Sequence, residues 1–197
     1  MRDSDTPLPL ELALTIRHDG NGGVTDDLDH AAALEAWVRA HPRTHPAPDT
    51  FTADETDLAA VHTLRTAVRT LFAHAVRPTP PSPADASRLL PLAEALRRLN
   101  EAAARTPTVP VLDWPDGAGP VSHRQPAPGE GADLTATLAH ATITFLTGPD
   151  RERLRACHAP RCVRYFLKEH PRQEWCKPSC GNRARVARHH ERHRRAG

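Results

Sequence analysis

Apolar residues recur through most of the chain at the three- and four-residue spacing of an amphipathic helix. The longest such run predicts a helix over residues 53–76, begun by a capping-box pair, Thr52 and Glu55. Its apolar stripe comprises Leu58, Val61, Leu64, Val68, Leu71 and Phe72. A shorter run predicts a helix from Thr25 or Asp26 to about His41, where Pro42 ends the pattern.

Proline and glycine divide the next part of the chain into two further helical segments. The run RPTPPSP breaks the long helix, and Ser82-Pro83 is a good helix start. Pro91 lies inside the following periodic stretch, so a kink or a second helix begins there and continues to about Arg105. A last helix of this part covers about residues 132–147 and ends at Gly148-Pro149.

Strand patterns are few and short. Residues Leu10 to Ile16 alternate apolar and other positions, which predicts a half-buried strand. The segments TVPVLDW and GPVSHR predict two more strands, joined by a turn at Pro115-Asp116-Gly117. We expect the three strands to form one small sheet. The fold class is therefore mainly α, an α+β chain with a few short strands, and residues 1–147 form its helical N-terminal domain.

All four cysteines lie within 24 residues near the end of the chain, as two pairs. Four residues separate Cys157 from Cys162, three separate Cys176 from Cys180, and thirteen lie between the pairs. A structural zinc needs four donors at about 2.3 Å in a tetrahedron, and two short loops that each supply two thiolates provide them. The spacing predicts one structural zinc held by these cysteines.

Two disulfides are the alternative for the same cysteines. The first residues, MRDSDTPLPLEL, lack the apolar run of a signal peptide, and no stretch is long and apolar enough to span a membrane. We therefore expect a cytoplasmic protein without a membrane partner, and in a reducing cytosol paired cysteines more often bind metal. The aromatic residues Tyr165, Phe166 and Trp175 lie between the outer ligands, where a small metal-centred core needs them.

These residues resemble a known zinc finger. The run Cys180-Gly181-Asn182-Arg183, preceded by Trp175-Cys176 and followed by an Arg-rich segment, is similar to the CGNR zinc finger. In that family the finger follows a helical ABATE domain, a regulator of transcription induced by stress. Earlier stretches such as LALTIRHDGNGGVTDDL and EALRRLNEAAARTPTVPVLD resemble the ABATE domain. The resemblance implies a treble-clef-like finger over residues 148–197 and a role in transcription.

The net charge differs in sign between the C-terminal segment and the rest of the chain. Residues 151–197 carry a net charge of +10 and the remainder −8, although the whole chain carries only +2. Such asymmetry indicates a tail that binds a polyanion, against the alternative of a solvated tail without a partner. The chain uses 24 Arg and 2 Lys, which is typical of a GC-rich bacterial genome.

The residues after Gly181 contain no Gly or Pro until Gly197 and predict one helix. Arginines recur along it at steps of three, four and three, so they share a face. They are Arg185, Arg188, Arg192 and Arg195. We expect this face to bind duplex DNA, since such a helix fits the major groove. Asn182 is expected to bond the first free amides, and Arg183 a thiolate or a phosphate.

Val186, His190 and His193 lie on a second face, which we expect to pack on the finger. His189 and His193, one turn apart, could bind a metal, but titratable surface histidines are the favoured interpretation. No nucleophile elbow, His-Glu-x-x-His run or partnered carboxylate pair is present, and four cysteines leave zinc no open position. We therefore expect no enzymatic activity.

The sequence thus favours a bacterial, nucleoid-associated transcription regulator that binds duplex DNA. Its N-terminal domain would act as a sensor or dimerisation unit, with a small-molecule ligand and a homodimer left open. The alternative is a zinc-stabilised protein-interaction or RNA-binding module without direct recognition of duplex DNA.

Overall fold

The computed structural model describes residues 6–21, 23–81 and 83–196, and their side chains except those of residues 83, 84, 195 and 196. Within these ranges the chain forms seven α-helices and six short strands. The helices are α1 (Leu8–Leu14), α2 (Ala31–Ala40), α3 (Glu55–Ala75), α4 (Pro83–Ala86), α5 (Leu92–Ala104), α6 (Leu134–Thr147) and α7 (Pro178–Ala196). The strands are β1 (Ile16–His18), β2 (Val24–Asp26), β3 (Thr108–Asp113), β4 (Val121–Pro126), β5 (Leu154–Ala156) and β6 (Tyr165–Leu167). No helix in the described ranges has the length and apolarity needed to cross a bilayer.

The long helix α3 is the centre of the main core. It packs against α1, α2, α5, α6 and strand β5, and the apolar stripe predicted for it is buried. The predicted extent of this helix is confirmed to within two residues, but its cap differs. The side chain of Asp54 accepts a hydrogen bond from the Asp57 N–H, and the side chain of Asp57 accepts one from the Asp54 N–H. The capping box therefore lies two residues after Thr52.

The prediction of a strand at Leu10 to Ile16 is wrong for most of its length. Residues Leu8 to Leu14 form helix α1, and only Ile16–His18 is a strand. Leu8, Pro9, Leu10, Leu12 and Ala13 are all buried. Because this helix is covered on nearly every side, its apolar positions do not report its period. The second helix also begins later than predicted, at Ala31, because Val24–Asp26 pairs with β1 as a strand.

Three separate hairpins replace the single predicted sheet. β1 pairs with β2, β3 with β4, and β5 with β6, each antiparallel. The predicted turn at Pro115 to Gly117 does join β3 and β4, and α5 and α6 have the predicted extents. The fold is mainly α with short strands in small sheets, as the sequence predicts.

The β1–β2 hairpin is fixed to α3 by a buried cation. Arg65 Nη1 donates to Asp26 Oδ1 over 2.6 Å and to Thr15 Oγ1 over 2.9 Å. Residues 19–21, in the turn of this hairpin, are exposed at the surface of the N-terminal part. The outer end of this turn faces the cysteine-rich segment, where Arg161 Nη1 donates to the Gly20 carbonyl over 2.7 Å.

The β5–β6 hairpin joins the cysteine-rich segment to the main core. Leu154, Ala156 and Tyr165 belong to the same buried cluster as α3 and α6, and the Tyr165 ring meets Phe72 edge-on at 5.5 Å between centroids. A second, smaller core contains Cys157, Ala159, Cys162, Phe166 and Cys180, with Trp175 and Cys176 packed against it. The finger therefore has its own core, which shares one hairpin with the main core.

Candidate metal centre and basic helix

The four cysteine sulfurs converge on one point. All lie within 4.8 Å of one another. The Sγ–Sγ distance is 3.8 Å between Cys162 and Cys176, 3.5 Å between Cys176 and Cys180, and 3.9 Å between Cys180 and Cys162. A tetrahedron with zinc–sulfur bonds of about 2.3 Å has edges of about 3.8 Å. The sulfur positions therefore fit a tetrahedral zinc.

Two local structures place these sulfurs. The first is the loop between β5 and β6, in which Cys157 N–H donates to the Arg164 carbonyl over 2.9 Å and Cys162 N–H to the Ala159 carbonyl over 2.9 Å. Arg161 closes the loop with a left-handed φ of 65°, which is uncommon outside glycine. The second is the first turn of α7, where Cys180 N–H donates to the Lys177 carbonyl over 3.0 Å. A hairpin loop and a helix start that supply two cysteines each form a treble-clef-like finger.

Crowding of the sulfurs makes a cation necessary for their full ionisation. The pKa of the Cys176 thiol is raised far above its ordinary value, first by Cys157 and Cys162, and the pKa of Cys162 is raised to about 12, first by Cys157. The pKa of Cys157 is lowered because it accepts hydrogen bonds from Cys162 and Cys176. Thiolates this close repel one another, and a dication at the centre of the cluster would stabilise their charge.

The CGNR residues surround the last cysteine. Arg183 Nη2 donates to Cys180 Sγ over 3.1 Å, which assigns one arm of this side chain to a thiolate. Gly181 is buried, and a Cβ at this position would lie 3.0 Å from Trp175 Cδ1. A larger residue here would press on the indole, so glycine allows the close packing of α7 on Trp175. Asn182 is exposed and its Oδ1 accepts from Arg185, so the predicted cap of the first turn is wrong.

The start of α7 explains that difference. The sequence pattern predicts the helix only after Gly181, but the helix begins at Pro178. Proline is favoured at the first position of a helix because its missing N–H would have no partner there. Asn182 thus lies in the second turn, beyond the amides that a cap would reach.

A histidine from the N-terminal part reaches the finger. His18, at the end of β1, accepts a hydrogen bond at Nε2 from Arg183 Nη1. The pKa of His18 is lowered from 6.5, first by burial and then by Arg183, with Asp19 opposing and Arg161 and Lys177 assisting. His18 and Arg161 were not predicted as site residues. His18 precedes a glycine-rich stretch of the sequence, and no local pattern shows that this segment contacts the finger.

Helix α7 leaves the body of the molecule after two turns. Cys180, Gly181 and Ala184 are buried, but every side chain from Arg185 to Arg194 is exposed. This includes the predicted arginines Arg185, Arg188 and Arg192, while the side chain of Arg195 lies outside the described part of the structure. The expectation that Val186, His190 and His193 pack on the finger is wrong, since Val186 is 56% exposed and both histidines are exposed.

The histidine pair on α7 forms one local contact. His189 and His193 have their Nε2 atoms 3.2 Å apart and their ring centroids 4.4 Å apart, as expected for neighbours one turn apart. Two exposed imidazoles supply only two of the donors that a closed zinc site needs. Among the described residues, three or more potential metal ligands come together at the cysteine cluster.

Comparison with protein families covers nearly the whole chain. Residues 6–149 match the ABATE model, described as "Putative stress-induced transcription regulator". Residues 153–193 match the CGNR zinc finger. No curated protein sequence matches the chain significantly. The finger match and the tetrahedral sulfur geometry together identify one structural zinc. The chain therefore belongs to the ABATE family and carries a CGNR zinc finger after the ABATE region.

Proposed function

We propose that the protein is a bacterial, nucleoid-associated transcription regulator that binds duplex DNA through the exposed part of α7. The observation that carries this proposal is the exposure of ten consecutive residues, Arg185 to Arg194, on a helix that leaves the body. The only acid among them is Glu191, against four arginines. A helix with this charge and no buried face is suited to a polyanion.

The energetics of this helix also favour a partner. Helices in water gain most of their stability from burying an apolar face, and like charges three or four residues apart repel. Arg185, Arg188 and Arg192 share one face of α7 at these spacings. Phosphates along the duplex would remove the repulsion and release counterions. We propose phosphate contacts for these three residues and Arg195, with Asn182 beside them.

Zinc would fix the origin of the DNA-binding helix. We propose Cys157, Cys162, Cys176 and Cys180 as its four ligands, within a finger unit of residues 148–197. Since Cys180 lies in the first turn of α7, the metal ties this turn to the β5–β6 loop. The role of zinc is structural, because four protein ligands leave no open position for chemistry. To contact DNA, the Arg183 guanidinium would have to give up its hydrogen bond to Cys180 or the one to His18.

For residues 1–147 we propose the role of sensor or dimerisation unit. A cavity of about 520 Å³ lies where α1 meets β6, with Leu10, Leu14, Tyr165 and Gln173 among its lining residues. This volume is within the range of small-molecule sites, and its mixed apolar and polar lining is typical of them. A ligand in this cavity would contact both the N-terminal part and the finger. Thermal-shift screening for ligands and measurement of the solution mass test these two roles.

Salt-dependent binding to duplex DNA tests the DNA interface. With about four phosphates neutralised, the logarithm of the binding constant should fall against log salt with a slope of about −3.6. Replacing Arg188 and Arg192 together by Ala should weaken binding to all duplexes and flatten the slope by about two units. Fluorescence anisotropy over a range of salt concentrations measures both quantities.

The matched control is the double variant Arg77→Ala/Arg88→Ala, which removes two exposed arginines of the N-terminal part. It should leave the slope unchanged. If both double variants bind DNA like the unmodified protein, α7 is not the DNA interface. If the protein prefers single-stranded RNA, or binds no nucleic acid at all, the RNA-binding or protein-interaction alternative replaces the proposal.

A further inference from the structure

A cavity of about 230 Å³ lies between the N-terminal part and the finger, away from the exposed half of α7. Strand β1 forms one wall with Arg17 and His18. The finger forms the other with Arg164, Lys177, Ser179 and Arg183. Four of these six side chains are permanent cations at neutral pH, and none of the described residues that line the cavity is acidic.

The lining cations differ in how far they are already neutralised. Arg17 Nε donates to both carboxylate oxygens of Asp27, at 2.8 and 2.7 Å, so its charge is balanced. Arg183 donates to Cys180 and His18, but its Nε is buried and has no hydrogen-bond partner among the described residues. Arg164 is half-buried at the cavity and Lys177 is exposed at its rim.

The zinc site itself accounts for only part of this positive charge. Zinc with four thiolates carries a net charge of −2, whereas Arg164, Lys177 and Arg183 together carry +3. The start of α7 adds the partial positive charge of a helix N-terminus, and Ser179 in its first turn lines the cavity. The residual charge at the cavity is therefore positive even with the metal bound.

We propose that this cavity is an oxyanion site that binds a phosphate group between β1 and the start of α7. Lys177 and Arg164 would provide charge-assisted hydrogen bonds, and Ser179 its hydroxyl and backbone N–H. The phosphate would contact both parts of the chain, next to the His18–Arg183 hydrogen bond. The site does not depend on DNA binding by the distal arginines of α7. Its phosphate belongs either to a free phosphorylated molecule or to the backbone of bound DNA.

Titration of the zinc-loaded, full-length protein with inorganic phosphate tests the site without DNA. Calorimetry and thermal shift at constant ionic strength should show binding and stabilisation by phosphate that chloride does not reproduce. Lys177→Ala should weaken phosphate binding about ten-fold, as expected for the loss of one charge-assisted hydrogen bond. Lys168→Ala is the matched control, because it removes the other lysine of the chain, which does not line the cavity.

Zinc content is measured for each variant, and Arg164→Gln replaces Lys177→Ala if the latter loses metal. The proposal is overturned if phosphate acts no differently from chloride, or if the cavity variant and Lys168→Ala bind phosphate equally.

Adding saturating duplex DNA then distinguishes the two sources of phosphate. If the backbone occupies the site, DNA suppresses phosphate binding and Lys177→Ala flattens the salt slope of DNA binding by about one unit. If a free phosphorylated molecule is the ligand, phosphate binds the DNA complex as well as the free protein, and the slope stays unchanged. Both results support the site. Failure of DNA binding by α7 would leave the first titration intact, so the two proposals fail independently.

Discussion

Replacing Asp85 by Ala should destabilise the N-terminal core and the finger together. Asp85 is 2% exposed and lies 2.8 Å from Arg69, which is 4% exposed. Arg69 also donates to the carbonyls of Ala13 in α1 and, over 2.7 Å, of Val163 in the finger. One buried guanidinium thus connects α1, α3, α4 and the segment between Cys162 and β6.

The expected magnitude follows from this burial. Removing one partner of a buried ion pair leaves an uncompensated charge, at a cost of about 3–5 kcal/mol. The Tyr165 hydroxyl also donates to Asp85, over 3.3 Å, and Tyr165→Phe should cost only about 1 kcal/mol. Burial first, and then Asp85, raises the pKa of Tyr165, so its hydroxyl stays protonated as a donor. The double variant should cost less than the sum of the single ones, because they share the bond.

Urea unfolding of the zinc-loaded protein is followed by two signals. Far-UV circular dichroism reports on the helical N-terminal core, and zinc release reports on the finger. We expect both transitions of Asp85→Ala to shift to lower urea. The control is Asp150→Ala, which breaks a surface pair with Arg153 in which both side chains are about half exposed. Such pairs contribute at most about 1 kcal/mol. Equal losses in the two variants, or a shift of circular dichroism without a shift of zinc release, would refute this coupling.

Three further outcomes are expected. Cys176→Ser should reduce zinc content well below one per chain and unfold the finger, because metal binding supplies on the order of 10 kcal/mol of the finger's folding free energy. Metal analysis measures the zinc content, and near-UV circular dichroism measures the unfolding. Asp133→Ala removes the cap of α6 and the 2.7 Å bond from Arg105, at about 1 kcal/mol. Burial raises the pKa of Asp133, but its hydrogen bonds and Arg105 lower this pKa below 3.8 overall. The stabilisation by Asp133 is therefore present above pH 3.8 and lost as the pH falls further. Acid unfolding of the unmodified protein and of Asp133→Ala detects this difference. The pKa of His18 is lowered from 6.5 by burial and by Arg183. The contribution of His18 to the free energy of unfolding should therefore be complete above pH 6.5 and fall below it. In unfolding measurements, His18→Gln should remove this part of the pH dependence.

The sequence predicted best where the determining interactions are local. The cysteine spacing predicted the cluster because four and three intervening residues bring each pair of sulfurs together within one loop or turn. The extents of α3, α5 and α6 followed from periodicity and from proline or glycine at their ends. The β3–β4 hairpin followed from two short strand patterns around a turn.

Long-range contacts account for what the sequence could not predict. Arg69 and Val163 are 94 residues apart, Arg161 and Gly20 are 141 apart, and Arg183 and His18 are 165 apart. No residue in these pairs belongs to a local motif with its partner. Burial caused the other failure, at α1, where both sides of the segment are covered and the alternation that suggests a strand has no structural meaning.

The exposed half of α7 combines these two lessons. Its charge pattern is local, so the arginine face was predicted, but the packing assigned to Val186 depended on tertiary structure and was wrong. A soluble helix without a buried face lacks its usual source of stability. Zinc and the packing of Gly181 on Trp175 fix only the first two turns. Under the proposed function, an anionic surface would stabilise the remaining turns, and the fixed start of the helix would set the direction from which they approach it.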